Sequence, residues 1–476
     1  MKSTNNKNLF SKEDLNKWYL EVIKKSEVFL HDDIKGFFYF DWYGLKIWER
    51  IKIILSDIFE ENQIREIKTP LFFQKSELEQ EKNHFSGFSP EVFELSYKNH
   101  QLILRPTSEI LFLKYFKKKL FSYKDLPFIA GQWGNVFRKE KNNKAFLRNN
   151  EFFWYEGHGV FENQTEVQKN IAFLNNLFYS FFNDILFLPF IFGNKTENEK
   201  FFGALETFTF EVLLPDNQWL QATTVHNLGT NFSKNFSFKL PDKSNQFFYP
   251  WTNSFGISTR IIGGLIMSHG DENGLVLPSE IAVFQVCFVI YWKFLDEKKI
   301  KSFLDEWKYK LKHIFHLRFI FNSQKVDPFW FLKDCIIKGV CLFVEIGRKE
   351  FEEKFFTFFT RTNFKKEKIN ISNANKNFFW TNLSLLNASI KAKQDNFLKK
   401  NLKEPSSIDE FNNFLKDKTS FFIYVNLKSL KDHHVFEKKI NSFDLSIRAI
   451  SSMNVEKKCF FSQEKATHII YIGRAY

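Results

Sequence analysis

Apolar and polar positions follow two different periods along this chain. From Ser11 to Glu27, and again from Ile47 to Glu60, apolar residues recur at helical spacing and predict amphipathic helices. Ser11 is the expected start of the first, with Glu13 and Asp14 near the positive end of its dipole. Between the two, Phe37 to Ile47 is aromatic and punctuated by glycine. Ile64 to Pro70 reads as a strand closed by its proline, a residue that a central strand tolerates only at its end. Leu102 to Leu104 is another short strand, followed by Arg105-Pro106-Thr107-Ser108-Glu109 and a helix over Ile110 to Leu120. This arrangement places Thr107 and Glu109 at a helix start, where side chains point into open space. Thr165 to Phe187 is helical. Thr207 to Leu214 alternates, with Phe208, Phe210 and Val212 on one face, and Asn217 to Thr224 is its expected antiparallel partner.

Strands separated by long excursions, rather than regular strand-helix alternation, predict an antiparallel sheet of the α+β kind flanked by helices. From Ile281 the texture changes. Strand Val283 to Tyr291, helix Lys299 to Phe315, strand Arg318 to Phe321, helix Phe329 to Lys338 and strand Cys341 to Ile346 alternate as a smaller α/β unit should. A lysine- and asparagine-rich stretch, Asn387 to Glu404, separates it from a terminal portion ending Ile472-Gly473-Arg474-Ala475-Tyr476. The expected division is therefore 1–283, 284–390 and 391–476, and no internal repeat is visible.

Length agrees with this division, since 476 residues suit about three domains. Composition makes the periodicity blunter than usual. Phe alone accounts for 64 positions while Gly (18) and Pro (11) are scarce, a bias of the kind that A- and T-rich codons impose. The charge, 68 − 55 = +13, suits a nucleic-acid partner, although a lysine-biased composition gives the same excess without one. Four cysteines, Cys287, Cys335, Cys341 and Cys459, form no C-x-x-C pair, which argues against a disulfide framework or a self-contained zinc site. The first ten residues lack an apolar signal core, and no apolar run reaches the length of about 18 residues that a membrane span needs. A soluble cytoplasmic protein is expected.

Three arginines carry the chemistry. Arg138 and Arg260 each stand at the edge of an apolar or glycine-flanked stretch, and Arg148 follows Arg138 across a polar loop into Glu151-Phe152-Phe153-Trp154-Tyr155-Glu156-Gly157-His158. Rigid guanidinium forks beside acidic and aromatic side chains suit a polyphosphate and a nucleobase. Thr107 and Glu109 place two hydrogen-bond acceptors side by side at one helix start.

Arg105 to Glu109, the block Arg138 to His158, Gln221 to Gly229 and Asn253 to Pro278, in that order and at those separations, resemble the class II aminoacyl-tRNA synthetases, specifically the prolyl-tRNA synthetases of archaeal and eukaryotic type. The resemblance spans roughly Gly36 to Arg361. It implies a catalytic domain on an antiparallel sheet, an α/β anticodon-binding domain, a small C-terminal α+β domain and a homodimer whose interface includes Pro70. The implied substrates are ATP, L-proline and tRNA(Pro), with Mg²⁺. By the same resemblance Arg138 and Arg260 are catalytic, and Arg138, Glu140, Arg148, Phe152, Gln221, Thr224, Ser258 and Arg260 bind ATP. Gln221 is also the candidate for contact with Mg²⁺. Proline falls to Thr107, Glu109, Arg138, Trp154, Glu156, His158 and His226, while His84 belongs to a loop that closes near the site. Lys338, Gly339, Glu345 to Arg348 and Arg361 match positions near the anticodon.

Several residues depart from the family pattern. Phe255 replaces a tryptophan, Asn227 a second histidine, and Glu206 stands where an aromatic is common. The last domain often carries a cysteine-ligated zinc, but only Cys459 falls there and tetrahedral zinc needs four ligands, so no zinc is expected. Arg474-Ala475-Tyr476 still resembles the family's ending, whose tyrosine carboxylate reaches towards the active site. Gln221 follows His158 by only 221 − 158 = 63 positions, too few for the editing domain that many bacterial relatives insert. Two rivals remain: a threonyl-type enzyme, weakened because no cysteine precedes Cys287, and a catalytically silent paralogue that binds tRNA, disfavoured by the intact arginines.

Overall fold

The computed structural model describes residues 9–78, 92–428, 433–452, 456–462 and 464–476. A ten-stranded sheet organises most of it. Its order is Phe421–Val425, His468–Ala475, Ser446–Ser452, Phe190–Asn194, Glu206–Leu213, Gln218–Gly229, Trp251–Ser258, Glu151–Phe161, Phe128–Phe137 and Arg65–Glu66. Neighbours are antiparallel except at the last position, where Arg65 and Glu66 run parallel to Ala130 and Gly131. Of the strand expected over Ile64 to Pro70, only these two residues join the ladder. Ile67 still gives its amide to Gly131 O at 2.8 Å, and beyond it Thr69 is held by side chains: Arg105 Nη1 donates to the Thr69 hydroxyl at 2.9 Å, and the Thr69 amide donates to Gln132 at 2.9 Å.

Three of the ten strands come from the last part of the chain. His468–Ala475 also runs parallel to the start of Gln218–Gly229, pairing Arg474 with Gln218 and Ala475 with Trp219. The expected hairpin is present, Glu206–Leu213 against Gln218–Gly229, with a register slip between Phe210 and Glu211 that leaves Ala222 without an opposite residue.

A separate five-stranded sheet, ordered Phe319–Phe321, Val286–Ile290, Leu342–Ile346, Phe355–Thr360 and Glu367–Asn370, matches the alternation read after Ile281. Its first three strands are parallel, joined through helices Glu297–Tyr309 and Pro328–Ile337. Both helices are capped by aspartate, Asp296 and Asp327 accepting from the first free amides.

Helix Leu15–Lys25 is started by Asp14, not Ser11: Asp14 accepts from the amides of Asn16 and Lys17, so the helix begins later than its apolar period suggested. Helix Trp42–Glu61 takes in the second half of the glycine-punctuated segment as well as the periodic one, while Phe38–Phe40 of that segment forms a short strand. The stretch Asn387 to Glu404 is no irregular connector. Its greater part is the second half of the 26-residue helix Lys376–Asn401, which buries Phe379, Leu383, Leu386, Ile390 and Gln394 along one stripe and shows its lysines to solvent. Aromatic packing fills the core beneath the large sheet, where Phe178, Phe182 and Phe210 are fully buried, each contributing about 1.5–3 kcal/mol by leaving water.

Candidate active site

A cavity of about 470 Å³ opens over the middle strands of the large sheet. Residues two apart on a strand share a face, so Phe152, Trp154 and Glu156 line it together, as do Thr224 and His226. Gln221 is an odd number of residues from Thr224. The slip at Ala222 restores its phase, and Gln221 lines the cavity with them. Gly157 sits behind the floor, where a Cβ would come within 2.2 Å of the Phe255 ring.

Arg138 follows the strand Phe128–Phe137. Its amide donates to Asn150 O at 2.8 Å and its Nε to Pro106 O at 2.9 Å. The guanidinium lies over the rings of Phe152 (5.3 Å) and Trp154 (5.6 Å), and among the described residues no carboxylate reaches ion-pair distance of it. Arg260 opens helix Arg260–His269, its amide donating to Ser258 Oγ at 3.3 Å. Burial first, then the charges of Arg138 and Arg148, bring Arg260 down to about 10, so the three forks act on one region.

The other end of the cavity is acidic. Glu109, Glu156 and His158 present ligand atoms within 4.8 Å of one another, and each is at least nine-tenths buried. The Thr107 hydroxyl donates to Glu109. Glu156 Oε1 accepts from the Ser108 amide at 3.0 Å and lies 3.3 Å from His158 Nε2. Burial and then the neighbouring Glu156 raise the Glu109 carboxyl. Burial acts on Glu156 too, but the contacts from His158 and Ser108 outweigh it and hold its carboxyl below the usual range. His226 is fixed by two hydroxyls, Thr207 at 2.9 Å on Nδ1 and Thr224 at 3.0 Å on Nε2. Burial and His158 push it down to about 3, so it is neutral near pH 7.

Of the residues singled out in the sequence, Thr107, Glu109, Arg138, Phe152, Trp154, Glu156, Gln221, Thr224, His226, Ser258 and Arg260 line this cavity. Three do not. His158 lies below it, stacked on Phe112 at 4.2 Å. Arg148 lines an adjoining cavity of about 270 Å³ that shares Glu199, Gln221 and Arg260 with the first; its Nη2 donates to the main-chain oxygen of Tyr476 at 3.0 Å. Glu140 stands 3.7 Å from Arg148 Nε, outside both linings. His84 lies outside the described residues. Glu199, Phe201, Thr207 and Ser254 also line the main cavity and were not singled out, because nothing in their spacing marks them.

This arrangement has relatives. Residues 93–269 match the family model of the tRNA synthetase class II core domain (G, H, P, S and T). A proline–tRNA ligase of Malacoplasma penetrans is 35% identical over 473 residues, 98% of each chain, and one of Onion yellows phytoplasma is 33% identical over 97% of each. The chain belongs to the proline–tRNA ligase family. Among solved structures, the prolyl-tRNA synthetase of Cryptosporidium parvum complexed with halofuginone and AMPPNP superposes with a TM-score of 0.90 at 28% identity, covering 100% of this chain and 99% of that one. The same enzyme complexed with L-proline and AMP gives 0.88.

Glu206 and Asn227, both set apart from the family pattern in the sequence, face one another across the hairpin, Asn227 Nδ2 donating to Glu206 Oε2 at 3.2 Å. Two residues matched to the anticodon surface require correction. Arg361 is wholly buried, its fork bound at 2.8 and 2.5 Å by Asp271, and Lys338 is drawn to Glu27 at 3.0 Å and Asp334 at 2.9 Å beneath Trp42. Both face the catalytic half, so neither is open to a nucleic acid. Glu345 accepts from the Tyr291 hydroxyl at 2.9 Å, and Arg348 pairs on the open surface with Glu352 at 2.9 Å.

Proposed function

We propose that this chain activates L-proline with ATP and transfers it to tRNA(Pro). One observation carries the reading: a buried carboxylate pair, Glu109 and Glu156, shares a cavity with a guanidinium, Arg138, that lacks a carboxylate partner among the described residues. A free amino acid is a zwitterion, and this is its complement. The ammonium of proline meets Thr107 and Glu109, its carboxylate meets Arg138, and Trp154 with Glu156 and His226 bounds the ring, while His158 acts from beneath through Glu156, 3.3 Å away.

Activation forms a bond between the proline carboxylate oxygen and the α-phosphorus of ATP and breaks the bond to the β-phosphate, releasing pyrophosphate. Charge develops on phosphate oxygens, so fixed guanidinium groups stabilise the transition state more than the ground state. Arg138 bridges carboxylate and α-phosphate, Arg260 and Arg148 take the outer phosphates, Phe152 stacks on adenine and Ser258 lies alongside. Glu140, 3.7 Å from Arg148 Nε, is assigned to the adenine amino group by the resemblance. Thr224 and Gln221 face the nucleotide. The Gln221 side chain has no hydrogen-bond partner among the described residues, which fits a contact with Mg²⁺, an ion that would offset phosphate charge. In the second step a ribose hydroxyl of the tRNA end attacks the prolyl carbonyl and AMP leaves.

The resemblance at Pro70 supports a homodimer, and the translation role supports a cytoplasmic enzyme; no described helix is long and apolar enough to cross a membrane. Cys459 packs in the apolar terminal core with Phe411 and Phe421, and the reading assigns no zinc. Pyrophosphate exchange assayed with each amino acid tests the proposal. Proline-dependent exchange is expected, and tRNA binding without any exchange would leave a silent paralogue.

A further inference from the structure

A buried network of charges links the terminal strands to the phosphate end of the cavity. Arg448, on strand Ser446–Ser452, is 5% exposed. Its Nη2 donates to Glu211 Oε2 at 2.8 Å and its Nη1 to Ser446 Oγ at 2.8 Å, and Nη1 lies 3.7 Å from Glu199 Oε2. Glu211, fully buried on Glu206–Leu213, also meets Lys195 Nζ at 2.8 Å, and Lys195 reaches Glu199 at 3.1 Å. Two carboxylates are thus balanced by two cations, one from the neighbourhood of the cavity and one from 237 residues further along the chain. Glu199 lines the main cavity, and Lys195, Glu199 and Arg448 line the adjoining one together with Arg148 and Arg260.

We propose that Arg448 is a positioning residue for ATP: from the terminal strands it neutralises Glu211 and Glu199 behind the arginines that receive the outer phosphates. It acts through those carboxylates and does not touch the nucleotide. Without it, two carboxylates share one lysine in a site of low dielectric. The surplus negative charge draws Arg260 away from the cavity and repels the polyphosphate, while the proline end, built on Glu109 and Glu156, is unaffected. The inference rests on the functional reading above and deepens it. It also gives the terminal segment a task in catalysis that needs no metal.

The test is proline-dependent pyrophosphate exchange with the full chain. Arg448→Met is expected to raise the KM for ATP roughly tenfold or more, as two carboxylates left with one lysine should, with the KM for proline within about twofold of wild type. Adding Glu211→Gln to Arg448→Met restores the balance of charge and is expected to recover most of the ATP KM. Melting temperatures are measured alongside. Should Arg448→Met not fold, Arg448→Gln, which keeps a hydrogen bond and loses only the charge, is read by the same two constants. An ATP KM that stays at the wild-type value, or a loss shared equally by both substrates and not reversed by Glu211→Gln, overturns the proposal. A wild-type chain without proline-dependent exchange overturns the functional reading instead.

Discussion

In the cavity, the Arg138 guanidinium gives one hydrogen bond to the main-chain oxygen of Pro106 and lies over two aromatic rings. Where the large sheet meets the five-stranded one, Arg361 gives both arms of its fork to Asp271 and its Nε to Ile336 O. Both are arginines in the interior of the same chain, yet one fork is left available and the other is saturated. An available fork beside an acidic pair is a device for holding a ligand; a saturated fork is a joint. Nothing in the residue type distinguishes them, and only the position of the carboxylate does.

The largest effect expected from breaking this contrast is at the joint. Arg361→Met should lower the free energy of unfolding by about 3–5 kcal/mol, because Asp271, about two-thirds buried, is left with only the Asn273 amide among the described residues to meet its charge. Denaturant titration measures this, and unchanged exchange kinetics of the folded fraction would identify the residue as purely structural. The pH sense follows from Asp271: burial opposes ionisation, but Arg361 wins and holds its carboxyl below the ordinary range. The pair's contribution is therefore full above the unfolded pKa of aspartate, and it disappears as pH falls through the lower folded value.

Arg138→Ala should do the converse, costing about 3 kcal/mol of transition-state stabilisation in kcat/KM while the melting temperature hardly moves. A variant that activates proline at the wild-type rate would end the role given to Arg138. Glu109→Gln should raise the KM for proline by about tenfold to a hundredfold, the usual worth of a hydrogen bond to a charged group, and leave the KM for ATP alone.

One buried neutral histidine lies in each region, His226 in the cavity and His269 near the joint, held down to about 3 and about 4 by burial. The unfolded chain accepts protons that these two refuse, so stability is full above the unfolded histidine value and falls as pH drops towards about 4. Urea midpoints at pH 7 and pH 5 should differ, and the difference should shrink in His269→Asn. The smallest effect belongs to Lys338→Met. Its partners Glu27 and Asp334 are 45% and 47% exposed, and solvent screening limits the loss to about 1 kcal/mol or less.

Much of this was legible along the chain. The hairpin of Glu206–Leu213 and Gln218–Gly229 is visible in its alternation, and the blocks around Arg138 and Arg260 carry enough fixed spacing to bring two distant arginines to one cavity. What escaped was whatever depends on contacts remote in sequence. Arg361 and Lys338 matched the family at an anticodon surface, but Asp271 and Glu27, far from each, decide their burial. Helix Lys376–Asn401 hid because its buried stripe is narrow and its lysines and asparagines dominate the local composition. The phase of Gln221 depends on a one-residue slip that no periodicity shows.

The ten-stranded ladder also bears on how such enzymes can be recombined. Among the described residues the five-stranded sheet shares no backbone hydrogen-bond ladder with the large one, so it could be exchanged between relatives as a cassette if the joint at Arg361, with the Leu275 amide on Ile337 O, is kept. The terminal strands offer no such seam. His468–Ala475 is stitched to strands on both flanks, and a chimera cut there would open raw edges in the sheet that carries the reaction centre, exposing unpaired amides to aggregation.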